Sequence, residues 1–224
     1  MCESKEIHLV TVKHMYLVNT RPDICYAVNA LSQFMCETKE IHLVVVKHIM
    51  RYLQGTLNRG LKYEKFEFDL HGFTDSIWVG SVTDRKSTSG CCFSLGSTMI
   101  SWICRKKASV AQSSTEAKYI AATMASRKVA WLRKLLVGLF GQPMNPIIIH
   151  CDDQSSIKLS MNPVFHDRSK HIEIPYHYIR DMVDRNTVKL EYICTANQTV
   201  DILTKPLSRV KIDHFRKRLG MVEL

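Results

Sequence analysis

Four acidic residues in this chain of 224 residues stand where a carboxylate is costly unless it meets a partner or a metal. Asp75 lies inside the apolar run HGFTDSIWVG. Asp152 directly follows the aliphatic run IIIHC. Glu116 falls in the first turn of the helix that the pattern after Ser113-Ser114-Thr115 predicts, and Asp201 is flanked by Val200, Ile202 and Leu203. Carboxylates converging from separate elements suit hard divalent cations such as Mg²⁺. Two such ions about 4 Å apart can activate a water and stabilise a departing oxygen, the chemistry of phosphodiester hydrolysis. Each acid also has a plain structural reading. Glu116 completes a capping box with Ser113, Asp152 or Asp153 caps the next helix, and Asp201 is a helix-start acid favoured by the dipole.

The elements that must carry these residues follow from periodicity and punctuation. Helices are predicted from about Pro22 to Met35 and over Lys39–Leu53, the second with Ile41, Val44, Val45, Ile49 and Leu53 at helical spacing. Residues 61–69 alternate as a strand or hairpin, and short strands are expected at about 71–78, 90–96 and 98–104. A long helix covers 114–139, with Gly138 or Gly141 as its stop. The run PIIIHC reads as a buried strand. After it come helices at 153–161 and 172–186, a strand at 187–194, and helices at 197–205 and 210–219. Three antiparallel strands, a helix, a strand, helices, a strand and a helix make a mixed α/β layout.

Composition narrows the setting. At 46% hydrophobic and 23% charged the chain is globular rather than disordered. No apolar run reaches the roughly 18 residues of a membrane span, and MCESKEIHLV is too charged for a signal peptide. Eight cysteines without a C-x-x-C pair argue against a zinc site and for reduced thiols, in a cytoplasmic or nuclear protein that is not secreted. The net charge of +10 is uneven: residues 1–70 carry +1, 71–205 carry +6 and 206–224 carry +3. Nucleic acid is the partner such a distribution favours.

The front of the chain holds a duplication. MCESKEIHLVTVKH at 1–14 returns as MCETKEIHLVVVKH at 35–48, a period of 34 with two mismatches. Nothing repeats beyond residue 48, which excludes a stacked solenoid. The second copy is expected to pack natively and the first to form a loosely docked helix.

Read together, FTDSIWVGSVTDRKSTSGCCFSLG, SSTEAKYIA, IHCDDQSSI, RSKHIEIPYHYIRD and TVDILTKPL resemble the ribonuclease H domain at the end of copia-type retrotransposon Pol polyproteins. TRPDICYAVNALSQFM and KHIMRYLQGTLNRGLKY resemble the segment just upstream, at the end of the reverse transcriptase region. The resemblance implies a ribonuclease H-like α/β fold: a mixed five-stranded sheet, three antiparallel strands then two parallel, flanked by helices and preceded by a helical appendage. It implies this organisation: 1–20, the duplicated segment; 21–67, a helical remnant of the reverse transcriptase or connection region; 68–205, the ribonuclease H domain; 206–224, a basic C-terminal helix. It implies metal-dependent cleavage of the RNA strand of RNA–DNA hybrids. Asp75, Glu116, Asp152 and Asp201 would hold two Mg²⁺ or Mn²⁺ ions, with His171 assisting proton transfer or product release. The expected partners are the hybrid and the reverse transcriptase region of the same polyprotein, in a retrotransposon particle. Arg85, Lys86, Ser87, Thr88 and Ser89, with Ser113, Ser114 and Thr115 at a helix N-terminus, are candidates to grip the substrate backbone, and Arg105-Lys106-Lys107 forms a basic rim. The competing reading of these hydroxyls is turn and cap chemistry.

Departures from the family pattern open an alternative. Asp153 stands where Asn is usual, and Lys118 replaces an acid common two residues after Glu116. Ser76 and Ile77 replace a small-acidic pair, and Cys91-Cys92 an aromatic. Together they mark a drifted copy, and the alternative is a non-catalytic nucleic-acid-binding remnant of the same fold. Polymerase chemistry at His150-Cys151-Asp152-Asp153 is disfavoured, because its turn would lie between two strands and the residues that follow look helical.

Overall fold

The computed structural model describes residues 16–35, 37–64, 69–80, 84–161 and 173–224, with the side chains of 173–177 left aside. The first repeat copy, residues 1–14, lies outside the described residues, and so does His171.

The chain enters through a 3₁₀ turn at Pro22–Ile24 and helix α1, Cys25–Ser32. Helix α2 follows at Glu40–Gln54. A short strand, β1 (Arg59–Leu61), pairs with β7 (Met221–Glu223), and residues 65–68 of the expected 61–69 strand or hairpin lie outside the described residues. The sheet that matters for the site is built from β2 (Leu70–Ile77), β3 (Thr88–Leu95), β4 (Thr98–Lys106), β5 (Ile147–Cys151) and β6 (Val188–Tyr192). Its order is β4-β3-β2-β5-β6. β2, β3 and β4 pair antiparallel, and β5 joins β2 and β6 in parallel. Three antiparallel strands followed by two parallel ones is the arrangement the resemblance implies, and the fold is ribonuclease H-like.

Helix α3, Ser114–Phe140, carries the chain across the sheet from β4 to β5. Ala117, Ala121, Ala125, Val129, Leu132 and Leu136 recur at helical spacing and are buried. The small alanines let the helix lie close to the sheet. The helix ends at Gly141, whose φ of 66° continues a left-handed cap that a side chain would resist. Helices α4 (Gln154–Met161), α5 (Glu173–Asp184), α6 (Asp201–Thr204) and α7 (Arg209–Arg218) complete the described residues. The 197–205 segment predicted as one helix is split, with a 3₁₀ turn at Thr195–Asn197 and only four residues of α-helix.

Two apolar clusters lie in the fold around the sheet. One joins Phe93, Ile149 and Leu190 to Tyr119, Val129 and Leu132 of α3. The other joins Phe73, Cys92 and Met99 to Val200, Leu203 and Phe215. Cys25 of α1 belongs to the second cluster, so the upstream helices share a core with the sheet. Polar contacts fasten them further. Trp102 donates its indole N–H to the Val18 carbonyl at 2.9 Å. Arg216 on α7 donates to the Tyr52 hydroxyl, which donates to Asp23.

Candidate functional site

Asp75 and Asp152 reach the same place because β2 and β5 run parallel. Thr74 is opposite Cys151 in the register, so the aspartates stand level one residue further along, Asp75 within β2 and Asp152 just past the end of β5. Asp75 has no exposed surface. Its antiparallel neighbour is Gly90. A Cβ on Gly90 would come within 2.5 Å of Thr204 and 3.1 Å of Val200. The bare glycine therefore lets α6 lie against β3 beside Asp75, and α6 brings Asp201.

Three aspartates meet there, and two lysines join them. Lys118 Nζ is 2.6 Å from Asp152 Oδ1 and 3.2 Å from Asp75 Oδ1. Lys205 Nζ is 2.9 Å from Asp75 Oδ2 and 2.8 Å from Asp201 Oδ1. The result is a chain of alternating charge, Asp152–Lys118–Asp75–Lys205–Asp201. The Asp75 side chain is fully buried and those of Asp152 and Asp201 nearly so, while the lysines are partly exposed. Thr195 adds a hydroxyl 3.3 Å from Asp152 Oδ2.

The electrostatics follow this geometry. Burial alone would raise the Asp75 carboxyl, but the Lys118 and Lys205 ammonium groups outweigh it and hold it below the usual carboxylate range. Burial works against the charged form of Lys118, and Asp75 and Asp152 overcome it, so its pKa rises. Asp201 is pushed up to about 6, first by burial and then by the neighbouring Asp75 and Asp152 charges, against the pull of Lys205.

Glu116 behaves as its structural reading has it. Its backbone N–H donates to the Ser113 hydroxyl at 3.1 Å, and its carboxylate accepts from the Gln112 N–H at 2.9 Å. It thus closes the N-terminus of α3 from both sides. The capping question at β5 is resolved in favour of Asp153. Its carboxylate accepts from Ser155 N–H at 3.1 Å and Ser156 Oγ at 2.7 Å, which leaves Asp152 to Lys118. Asp153→Ala should therefore cost about 0.5–2 kcal/mol, as lost caps do. Thermal unfolding of the variant beside wild type would measure it. Helix α4 begins directly after Asp153, so the strand–turn–strand of a polymerase motif is absent at this point.

The proposed substrate hydroxyls divide. Ser87 and Ser89 are buried, and Ser89 Oγ is 3.0 Å from Ser76 Oγ. Thr88 is half-buried on β3, while Arg85 is exposed and Lys86 half-buried beside Asp84. Ser113 caps α3, and Ser114 stays exposed next to the half-buried Thr115. Sequence reasoning missed Lys118 and Lys205 as members of the site. The signal for Lys118 was its phase: it shares a helix face with Ala121, Ala122 and Ala125, all fully buried.

An oxygen-only set of carboxylates has the chemistry for Mg²⁺ or Mn²⁺. As arranged, the residues do not fit a pair of such ions, because every aspartate is already bonded to an ammonium: Asp152 to Lys118, Asp201 to Lys205 and Asp75 to both. Among the described residues, no group of three or more His, Cys, Asp or Glu side chains could hold a metal ion.

No family model matches the chain. It is 40% identical over 210 residues to the retrovirus-related Pol polyprotein from transposon RE2 of Arabidopsis thaliana, and 42% identical over 210 residues to that from transposon RE1 of the same plant. In sequence the chain is a segment similar to the retrovirus-related Pol polyproteins of copia-type transposons. Each match covers 93% of this chain but only 14% of the Pol polyprotein. The chain thus corresponds to a small part of the copia-type Pol length. Among solved structures, the N-terminal ribonuclease H domain of a Mycobacterium tuberculosis protein, solved as a maltose-binding-protein fusion, matches 67% of this chain and 98% of that one. That match has a TM-score of 0.46 and 12% identity.

Proposed function

We propose that this copia-type Pol segment binds RNA–DNA hybrids through a ribonuclease H-like fold in which hydrolysis is disabled. The observation that carries the reading is the Lys118 ammonium, 2.6 Å from Asp152 and 3.2 Å from Asp75, where hydrolysis would need a divalent cation. Binding has independent support from charge. Residues 71–224 carry +9 of the net +10, and this stretch includes the exposed Arg85, Arg105 and Arg127. Phosphates on both strands of a hybrid are the complement of such a surface.

A labelled hybrid incubated with the protein and Mg²⁺ or Mn²⁺ tests both halves. The expected result is retention of the hybrid without cleavage. Binding should weaken steeply with salt, with a log–log slope of about −0.7 to −0.9 for each phosphate neutralised. Metal-dependent cleavage that disappears in Asp75→Asn would overturn the disabled centre and restore the endoribonuclease reading. Binding indifferent to salt would remove the phosphate-tracking surface.

A further inference from the structure

We propose that Cys25 and Cys104 are a thiol pair that hydrogen peroxide oxidises to a disulfide, and that this bond staples the upstream helices to the sheet. The pair lies outside the aspartate cluster, and the inference does not depend on what that cluster does to a hybrid.

The two cysteines come from different parts of the chain. Cys25 opens α1, and Cys104 lies near the end of β4. They meet at a cavity of about 150 Å³ lined by Val18, Cys25, Val28, Asn29, Ser32 and Cys104. Every lining residue except Cys104 belongs to the upstream segment, so the cavity marks the seam between that segment and the sheet. The two thiols are near enough to hydrogen-bond to each other. This contact, together with burial, raises the Cys104 thiol well above the usual thiol range.

The cavity gives the pair both room and access. A disulfide of about 2.05 Å brings two sulfurs closer than a hydrogen bond does. In a filled core that movement would strain the neighbours. Here the side chains turn into empty space. Access differs among the free cysteines. Cys91, Cys92 and Cys151 have no exposed surface, and Cys25 has almost none. Cys104 is only half-buried, so a small oxidant entering the cavity meets it first.

The chemistry balances with peroxide as the oxidant. The Cys104 thiolate attacks one peroxide oxygen and the O–O bond breaks. The departing hydroxide takes up a proton, which leaves one water and a sulfenic acid on Cys104. The Cys25 sulfur then attacks the Cys104 sulfur and the S–O bond breaks. A second water leaves with the Cys25 proton. Two thiols are oxidised to one disulfide, and one peroxide is reduced to two waters. The first step is slow at neutral pH, because the thiolate is the nucleophile and Cys104 keeps its proton. Once formed, the bond closes a long loop, the kind of cross-link that most restricts the unfolded chain.

The test treats the whole chain, reduced and freed of added thiol, with hydrogen peroxide. A peptide map without reductant should join the Cys25 peptide to the Cys104 peptide. The oxidised protein should melt about 5–15 °C above the reduced one, and dithiothreitol should reverse the rise. Cys25→Ala removes the thiol that captures the sulfenic acid. Dimedone should therefore label Cys104 more strongly in this variant than in wild type. Both Cys25→Ala and Cys104→Ala should lose the rise in melting temperature. If either variant fails to fold, the wild-type map and melting temperature decide alone. Three results would overturn the proposal: Cys25 and Cys104 unlinked after the exposed Cys194 is fully oxidised, a link that joins other cysteines instead, or a Cys25–Cys104 link that leaves the melting temperature unchanged.

Discussion

Replacing Asp75 by asparagine should destabilise the protein by about 3–5 kcal/mol, the usual cost of removing one partner from a buried ion pair. The sign is the informative part. In a centre of mutually repelling carboxylates, neutralising one relieves repulsion and stabilises the empty fold. Here Asp75 is the central counter-charge, bonded on one side to Lys118 and on the other to Lys205. A neutral amide at residue 75 would leave two ammonium groups sharing two outer aspartates, in a place from which water is largely excluded. Urea unfolding of wild type and Asp75→Asn gives the answer, provided the denaturant slope is unchanged. A variant as stable as wild type, or more so, would contradict the alternating chain of charges. A double-mutant cycle with Lys118→Met should show strong coupling, since each residue's cost depends on the other.

Replacing Gly90 by valine should cost about 1–3 kcal/mol, the penalty of forcing side-chain atoms into a filled space. The collision is with α6. A Cβ at residue 90 lies 2.5 Å from the Thr204 methyl and 3.1 Å from that of Val200, and both residues are fully buried. Thr204 is further tied by its hydroxyl to the Val200 carbonyl at 3.4 Å. Relief therefore requires the whole short helix to move, and Asp201 and Lys205 move with it. Chemical denaturation should show the loss of stability. The Lys205 ammonium resonance should shift as well, because its distances to Asp75 and Asp201 change together. A Gly90→Val protein with unaltered stability would mean that α6 is free to yield.

Much of this arrangement was legible in the sequence. The strands from β2 to β6 were visible because short alternating or aliphatic runs are set off by Gly, Ser and Asp. The two parallel strands came only with the family resemblance. Asp75, Asp152 and Asp201 stood out because an acid among apolar neighbours needs a reason. Lys205 did not stand out, and Lys118 did so only as a departure from the family pattern, not as a member of the site. A lysine on a helix ordinarily extends into solvent, and only the phase of residue 118 relative to Ala121, Ala122 and Ala125 reveals that it points at the sheet. Glu116 carried both readings: its type suggested a ligand, its position three residues after Ser113 suited a cap, and the structure shows the capping contacts. β7 escaped because three residues are too few for a periodic signal.

The pairing of β1 with β7 has a consequence for how such a protein is made. Asn58 and Glu223, bonded at 2.8 Å, are 165 positions apart in the chain. On the ribosome the upstream helices emerge long before the strand that will clamp them, and contacts of such sequence separation form late. Until residues 221–223 arrive, β1 has an unpaired edge and Tyr52 waits for Arg216. Between the emergence of β1 and that of β7 the nascent chain therefore carries an unpaired strand edge, a condition that favours chaperone binding.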